Sequence, residues 1–123
     1  MAQLDPSVQA VISLRVLDKA TLFGRMTGAL GFAGLKGACA IRLVRCKWIH
    51  TVFMRFEIDC VGLDNNQAVV AVYQKMPPGR VRLFPKKVTS ILELRVGEAE
   101  RLGITVGSFL RLDFVSDHRS VSI

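Results

Sequence analysis

Apolar and polar residues alternate along this chain in runs too short for any long helix, and that alternation most constrains its fold. Ile12, Leu14 and Val16 face one way, Ser13 and Arg15 the other. Cys39, Ile41 and Leu43 stand opposite Arg42 and Val44, and Leu110, Leu112 and Phe114 repeat the pattern near the end. A period of two places successive side chains on opposite faces of a strand, so each run reads as a half-buried strand. Turn chemistry separates the runs: three glycines between Gly31 and Gly37, then Asp64-Asn65-Asn66, Pro77-Pro78-Gly79, Gly97, Gly103 and Gly107. No long crossover helix is visible, which favours antiparallel pairing over a doubly wound sheet.

The predicted elements follow in order. Residues 8–17 form a strand. Leu22, Phe23, Met26, Ala29 and Leu30 suit one face of a short helix, which Gly24 and Gly28 weaken by about 1 kcal/mol each. Residues 38–45, 53–64 and 68–74 are strands, the last two joined as a hairpin. An irregular basic segment runs from Lys75 to Lys87. Residues 88–95 are a strand, 98–102 a helix of one turn or slightly more with Gly103 as its left-handed cap, and 109–114 the last strand. The expected class is mainly β, bordering on α+β: one antiparallel sandwich or barrel-like domain of six or seven strands and two short helices. It spans residues 1–123, with a frayed tail over 117–123.

At 123 residues, half of them apolar, the chain can bury a core without disulfides or metal. No apolar run approaches the roughly 20 residues of a membrane span. The polar start lacks the features of a signal peptide, and three cysteines make no disulfide framework, so a cytoplasmic setting is expected. The net charge is +7, unevenly spread: residues 19–55 and 65–92 contain no acid, and the second tract carries Lys75, Arg80, Arg82, Lys86 and Lys87. Such tracts suit an anionic ligand or nucleic acid, or simply a solvated basic surface.

Reactive side chains concentrate between Cys46 and Asp64, which hold the only Trp, one of two His and two of three Cys. Two passages here and downstream carry a resemblance. One is Cys46-x-x-Ile49-His50-Thr51-x-Phe53-Met54-Arg55-Phe56-x-Ile58-Asp59 with Leu63-Asp64. The other is Leu92-Glu93-Leu94-x-x-Gly97-x-Ala99-x-Arg101-Leu102-Gly103-Ile104-x-x-Gly107. Together they resemble the domain-of-unknown-function 192 family of bacteria and archaea over about residues 9–114. The resemblance implies a compact, mainly β domain with short helices and no assigned reaction. The chain departs from the family pattern at Glu57 and Val96 (usually Pro), Gly62 (a large apolar residue), Gln67 (the hairpin Gly) and Ser108 (Asp). With Gln67 in place of Gly, Asn65 or Asn66 is expected to take the positive φ.

Four readings of the central stretch follow from residue chemistry. Cys46 and His50, four apart, can form a thiolate–imidazole pair that Asp59 orients, the arrangement of a thiol-dependent hydrolase or transferase. Cys46, His50, Asp59 and Cys60 are acceptable zinc ligands, but no paired motif is present and adjacent Asp59 and Cys60 point apart in a strand, so no metal and no cofactor is expected. Trp48, His50, Phe53, Met54 and Phe56 can wall a shallow cleft, with Thr51 and Asp59 as polar contacts and Arg55, Arg80 and Arg82 drawing an anion to its mouth. In the fourth reading these side chains only satisfy one another and the backbone inside the fold. Glu93, in a strand expected to be buried, is assigned an arginine partner, although it can also belong to the site. Phe84, between Arg82 and Lys86, can stack on a base if residues 75–87 bind nucleic acid.

The resulting expectation is a binding or accessory domain that takes a small or anionic ligand in a shallow pocket around His50 and Asp59. The thiol enzyme and the basic nucleic-acid module stand as alternatives.

Overall fold

The computed structural model describes residues 11–19, 38–44, 47–51 and 56–115. The strands are β1 (Val11–Lys19), β2 (Ala40–Val44), β3 (Trp48–His50), β4 (Ile58–Leu63), β5 (Val69–Met76), β6 (Val81–Leu83), β7 (Ser90–Arg95) and β8 (Phe109–Phe114). The one helix among the described residues is α1 (Glu98–Arg101). The expected helix over residues 22–30 and the expected tail lie outside the described residues.

Six strands form one sheet in the order β5-β4-β7-β2-β1-β8, and β3 pairs with β6 in a second, two-stranded sheet. The mainly β class is as the alternation implied, and β4 and β5 form the expected antiparallel pair. Antiparallel pairing does not extend to β1, which lies parallel to both β2 and β8. Parallel neighbours need a crossover, and residues 20–39 connect β1 to β2.

The sheet curls until its two edges meet at one end. There Ala68 bridges Phe109, the Val69 N–H donates to the Ser108 carbonyl at 2.8 Å, and the Leu110 N–H donates to the Gln67 carbonyl at 3.0 Å. The meeting is confined to these first residues of β5 and β8, so the barrel is not closed.

The curl gives the sheet two apolar faces. Its inner face draws on all six strands, with Leu14, Val16, Ala40, Val61, Leu63, Val69, Leu92, Leu94 and Leu110 packed against Ala99 and Ile104. On the outer face Ile41, Leu43, Ile58, Cys60 and Ile91 are covered by Ile49 of β3 and by Phe84 and Val88, which follow β6. Central strands β4 and β7 are buried on both faces, and their sequences, Ile-Asp-Cys-Val-Gly-Leu and Ser-Ile-Leu-Glu-Leu, therefore show no alternation of apolar and polar residues.

Gly62 explains one departure from the family pattern. A Cβ at this position would lie 2.7 Å from Phe84 Cδ2 and 2.8 Å from Val88 Cγ2. The Phe84 ring occupies the space a larger residue at position 62 would fill. Phe84 is thus a core residue, tilted against Tyr73 at 4.8 Å between ring centroids, and is not available to stack on a base.

The hairpin turn corrects another expectation. Gln67 itself adopts φ 64°, while Asn65 and Asn66 do not take positive φ. Asp64 shapes the turn: its Oδ1 accepts the N–H groups of Asn66 (2.8 Å) and Ala68 (3.0 Å), as an Asx turn does. Gly103 (φ 72°) holds the left-handed position its placement implied, and Gly107, in the turn before β8, is also left-handed at φ 97°.

Candidate functional site

Asp59 and Cys60 are adjacent on β4 and point to opposite faces of the sheet, as strand geometry requires. The Asp59 carboxylate is fully buried, on the α1 side. Its Oδ1 accepts the Lys75 N–H at 2.9 Å, and its Oδ2 accepts the Gly97 and Ala99 N–H groups at 3.0 Å each. Gly97 occupies the N-cap of α1 but has no side chain to cap with, so Asp59 supplies the capping oxygen from a distant strand. Lys75 sits at φ 54°, beside a register shift between β4 and β5. One carboxylate thereby fastens a strand irregularity and a helix start.

His50 lies on β3, which covers the opposite, outer face of the sheet. The sheet separates its ring from the Asp59 carboxylate, and the two do not share a pocket. The His50 ring is half-buried, 5.8 Å from the Trp48 ring, and its buried Nδ1 has no hydrogen-bond partner. Thr51 is buried and serves the backbone: its hydroxyl donates to the Pro77 carbonyl at 2.6 Å and accepts the Arg80 N–H at 2.8 Å, pinning the turn that leads into β6. Cys46, Phe53, Met54 and Arg55 lie outside the described residues.

Glu93 is buried on the outer face, with Cys60 and Ile41 as its cross-strand neighbours. The expected arginine partner is absent: among the described residues Glu93 forms no ion pair, and its Oε2 has no hydrogen-bond partner. Burial pushes its carboxyl up to about 7, so charge is avoided by holding a proton and not by pairing. Burial also pushes the Cys60 thiol well above its ordinary value, with Glu93 and Asp59 adding to the effect. A thiol held protonated, 3.9 Å from the Met76 sulfur, is a packing group and a poor nucleophile. Among the described residues no three His, Cys, Asp or Glu side chains come together as metal ligands.

What sequence reasoning missed is the β3–β6 sheet. In the sequence the basic segment looks irregular because β6 is only three residues long and contains an arginine. Register pairs Trp48 with Leu83 and His50 with Val81, so these four side chains share its outer face. Val81 is 64 % exposed, Leu83 71 % and Trp48 38 %. Arg80 and Arg82 alternate with them along the chain, Arg82 lying over the Tyr73 ring at 4.4 Å, and the Lys47 ammonium is held on the Lys86 carbonyl at 3.1 Å. Elsewhere, Phe56, Glu57, Arg95 and Val96 line an apolar groove of about 300 Å³, where two of the departures from the family pattern meet.

A family model described as an uncharacterised group, DUF192, matches residues 8–112. The chain belongs to the DUF192 family. No curated protein matches it. Two solved structures share the DUF192 chain's fold. One, a protein of unknown function from Novosphingobium aromaticivorans, is 16 % identical with a TM-score of 0.64, over 75 % of this chain and 70 % of its own. The other, described as a candidate transcription regulator from Sinorhizobium meliloti, is 15 % identical with a TM-score of 0.65, over 75 % of this chain and 76 % of its own. Among the described residues of this DUF192 domain, no helix is long and apolar enough to cross a membrane.

Proposed function

We propose that this domain is a non-catalytic binding module and that it takes an anionic partner on the outer face of β3–β6. The observation that carries this reading is the exposure of Val81, Leu83 and Trp48 on one small face beside cations that form no ion pair among the described residues. Lys75, Arg80, Arg82, Lys86 and Lys87 form no ion pair among the described residues. An apolar patch with a charged rim is the usual anatomy of an interaction surface, and the sign of the rim selects the partner. His50 and Arg80 keep their places in the proposed site. Asp59 and Thr51 support the scaffold beneath it, and Glu93 lies in the core.

Trp48 is the only tryptophan, which makes it a direct reporter. Titration with heparin at low ionic strength should change its fluorescence, with an affinity that falls steeply as salt is added. Arg80→Ala combined with Lys86→Ala should weaken the response and flatten the salt dependence. An unchanged Trp48 signal, with no binding at low salt, overturns the proposal.

A further inference from the structure

We infer that the anionic partner is single-stranded nucleic acid, with bases stacking on the Trp48–His50 pair and phosphates meeting Arg80, Lys86 and Lys87. This inference rests on the anionic-partner reading above and narrows it. Two polyanionic occupants compete for such a surface: an acidic peptide added as a strand beside β6, and an unpaired polynucleotide.

The backbone disfavours the peptide. Strand addition draws its affinity from main-chain hydrogen bonds along a free edge. Here β6 offers only Val81–Leu83, between Pro77-Pro78-Gly79 and Pro85. The Leu83 carbonyl already accepts the Tyr73 hydroxyl at 3.4 Å. An edge this short, bounded by prolines, gives an added strand little to hold.

The side chains favour the polynucleotide. A stacking platform needs an aromatic surface within reach of cations spaced along a backbone, and it needs no long edge. Trp48 and His50 lie two residues apart on one strand, their rings 5.8 Å between centroids and inclined by 31°. Leu83 and Val81 stand directly across from them and extend the apolar floor. Arg80, Lys86 and Lys87 follow the floor along the chain, while Arg82 turns to the other face over Tyr73, and residues 65–92 contain no acid to repel a phosphate. No groove-reading helix is present among the described residues, because α1 has four residues; an unpaired strand suits the site better than a duplex.

The test is a competition among polyanions, read by Trp48 fluorescence and by anisotropy of a labelled thymidine oligonucleotide. The whole chain is used. The oligonucleotide should bind more tightly than a duplex of the same length, heparin or polyglutamate. Trp48→Ala should weaken the oligonucleotide by roughly tenfold or more, the loss expected for one stacked base, while changing heparin binding less than twofold. Trp48→Phe should recover most of the affinity and, by retaining a ring, guards against misreading a folding defect; thermal denaturation of both variants checks this. If oligonucleotide and heparin bind equally and neither depends on Trp48, the nucleic-acid inference falls and the anionic surface stands. If polyglutamate binds most tightly, the occupant is an acidic peptide and the inference falls. If no polyanion binds, both proposals fall.

Discussion

Asp59 and Glu93 are two buried carboxyl groups on neighbouring central strands, facing opposite sides of one sheet, and the fold treats them in opposite ways. Asp59 receives three backbone N–H groups and joins Lys75, Gly97 and Ala99 to β4. Glu93 lies among apolar side chains with one oxygen unpartnered, and burial raises its carboxyl to about 7. The comparison teaches that a buried acid in this domain is not by itself a mark of chemistry. One organises backbone that has no other partner; the other is tolerated by protonation. The Asp59 side of the sheet thus carries a polar fastening that the Glu93 side lacks at the corresponding strand.

The largest expected effect is at Asp59. Asp59→Ala leaves three N–H groups without an acceptor, at least one of them fully buried, and frees the start of α1. Unsatisfied buried donors cost on the order of 1–3 kcal/mol each, so a loss of about 3–5 kcal/mol is expected in urea denaturation. This is a large part of the stability of a domain this size. A loss below about 1 kcal/mol would remove Asp59 from its fastening role.

Glu93 should behave in the contrary sense. Its folded-state value of about 7 lies above the ordinary 4.5 of a free glutamate. The folded state therefore keeps a proton that the unfolded chain releases. No penalty exists below pH 4.5; stability falls as pH rises from 4.5 to 7, and the full cost persists above 7. From the size of the shift that cost is on the order of 3 kcal/mol. Glu93→Gln should be close to wild type at pH 4.5 and more stable than it by about 2–3 kcal/mol at pH 8. Denaturation at the two pH values checks this, and a constant difference between variant and wild type would contradict the assignment.

The outer face can also be tested by exchange of volume. Gly62→Leu alone forces the Phe84 ring aside and should destabilise by about 1–3 kcal/mol, while Phe84→Ala alone should lose about 3–5 kcal/mol. Because each residue occupies the other's space, the double variant should be more stable than the sum of the single effects by at least about 1 kcal/mol. Strict additivity would show that the close approach of Phe84 to Gly62 does not govern this face.

These pairs also show where the sequence was legible. β8 spans the residues that its alternation marked, Phe109–Phe114, because only one of its faces is buried and the polar residues between report the pleat. Gly103 was readable because a positive φ selects the residue type directly. Asp59 was noticed, but its role was not readable: its partners Gly97 and Ala99 lie 38 and 40 residues away, and they contribute backbone atoms that leave no trace in residue identity. The common pocket of His50 and Asp59 assumed that nearness along the chain meant one neighbourhood. The step from β3 to β4 instead carries the chain from the covering layer into the sheet itself.

Gln67 provides the smallest expected effect. Among the described residues two other than glycine adopt positive φ, Gln67 at 64° just before β5 and Lys75 at 54° near its end. Lys75 gains an Asp59 hydrogen bond in that conformation. Gln67 gains contacts only through its backbone, its N–H donating to the Asp64 carbonyl at 3.1 Å, while its side-chain Oε1 is buried without a partner. Gln67→Gly therefore removes a left-handed strain of about 1 kcal/mol and an unsatisfied oxygen, against a smaller entropic loss in the unfolded chain. A gain of about 1 kcal/mol is expected from thermal or urea denaturation. Lys75→Gly should gain less, because Asp59 already fixes that residue. If glycine stabilises position 75 more than position 67, the Asp59 bond is not what holds the irregularity in β5, and the inner carboxylate's fastening role contracts to the helix start.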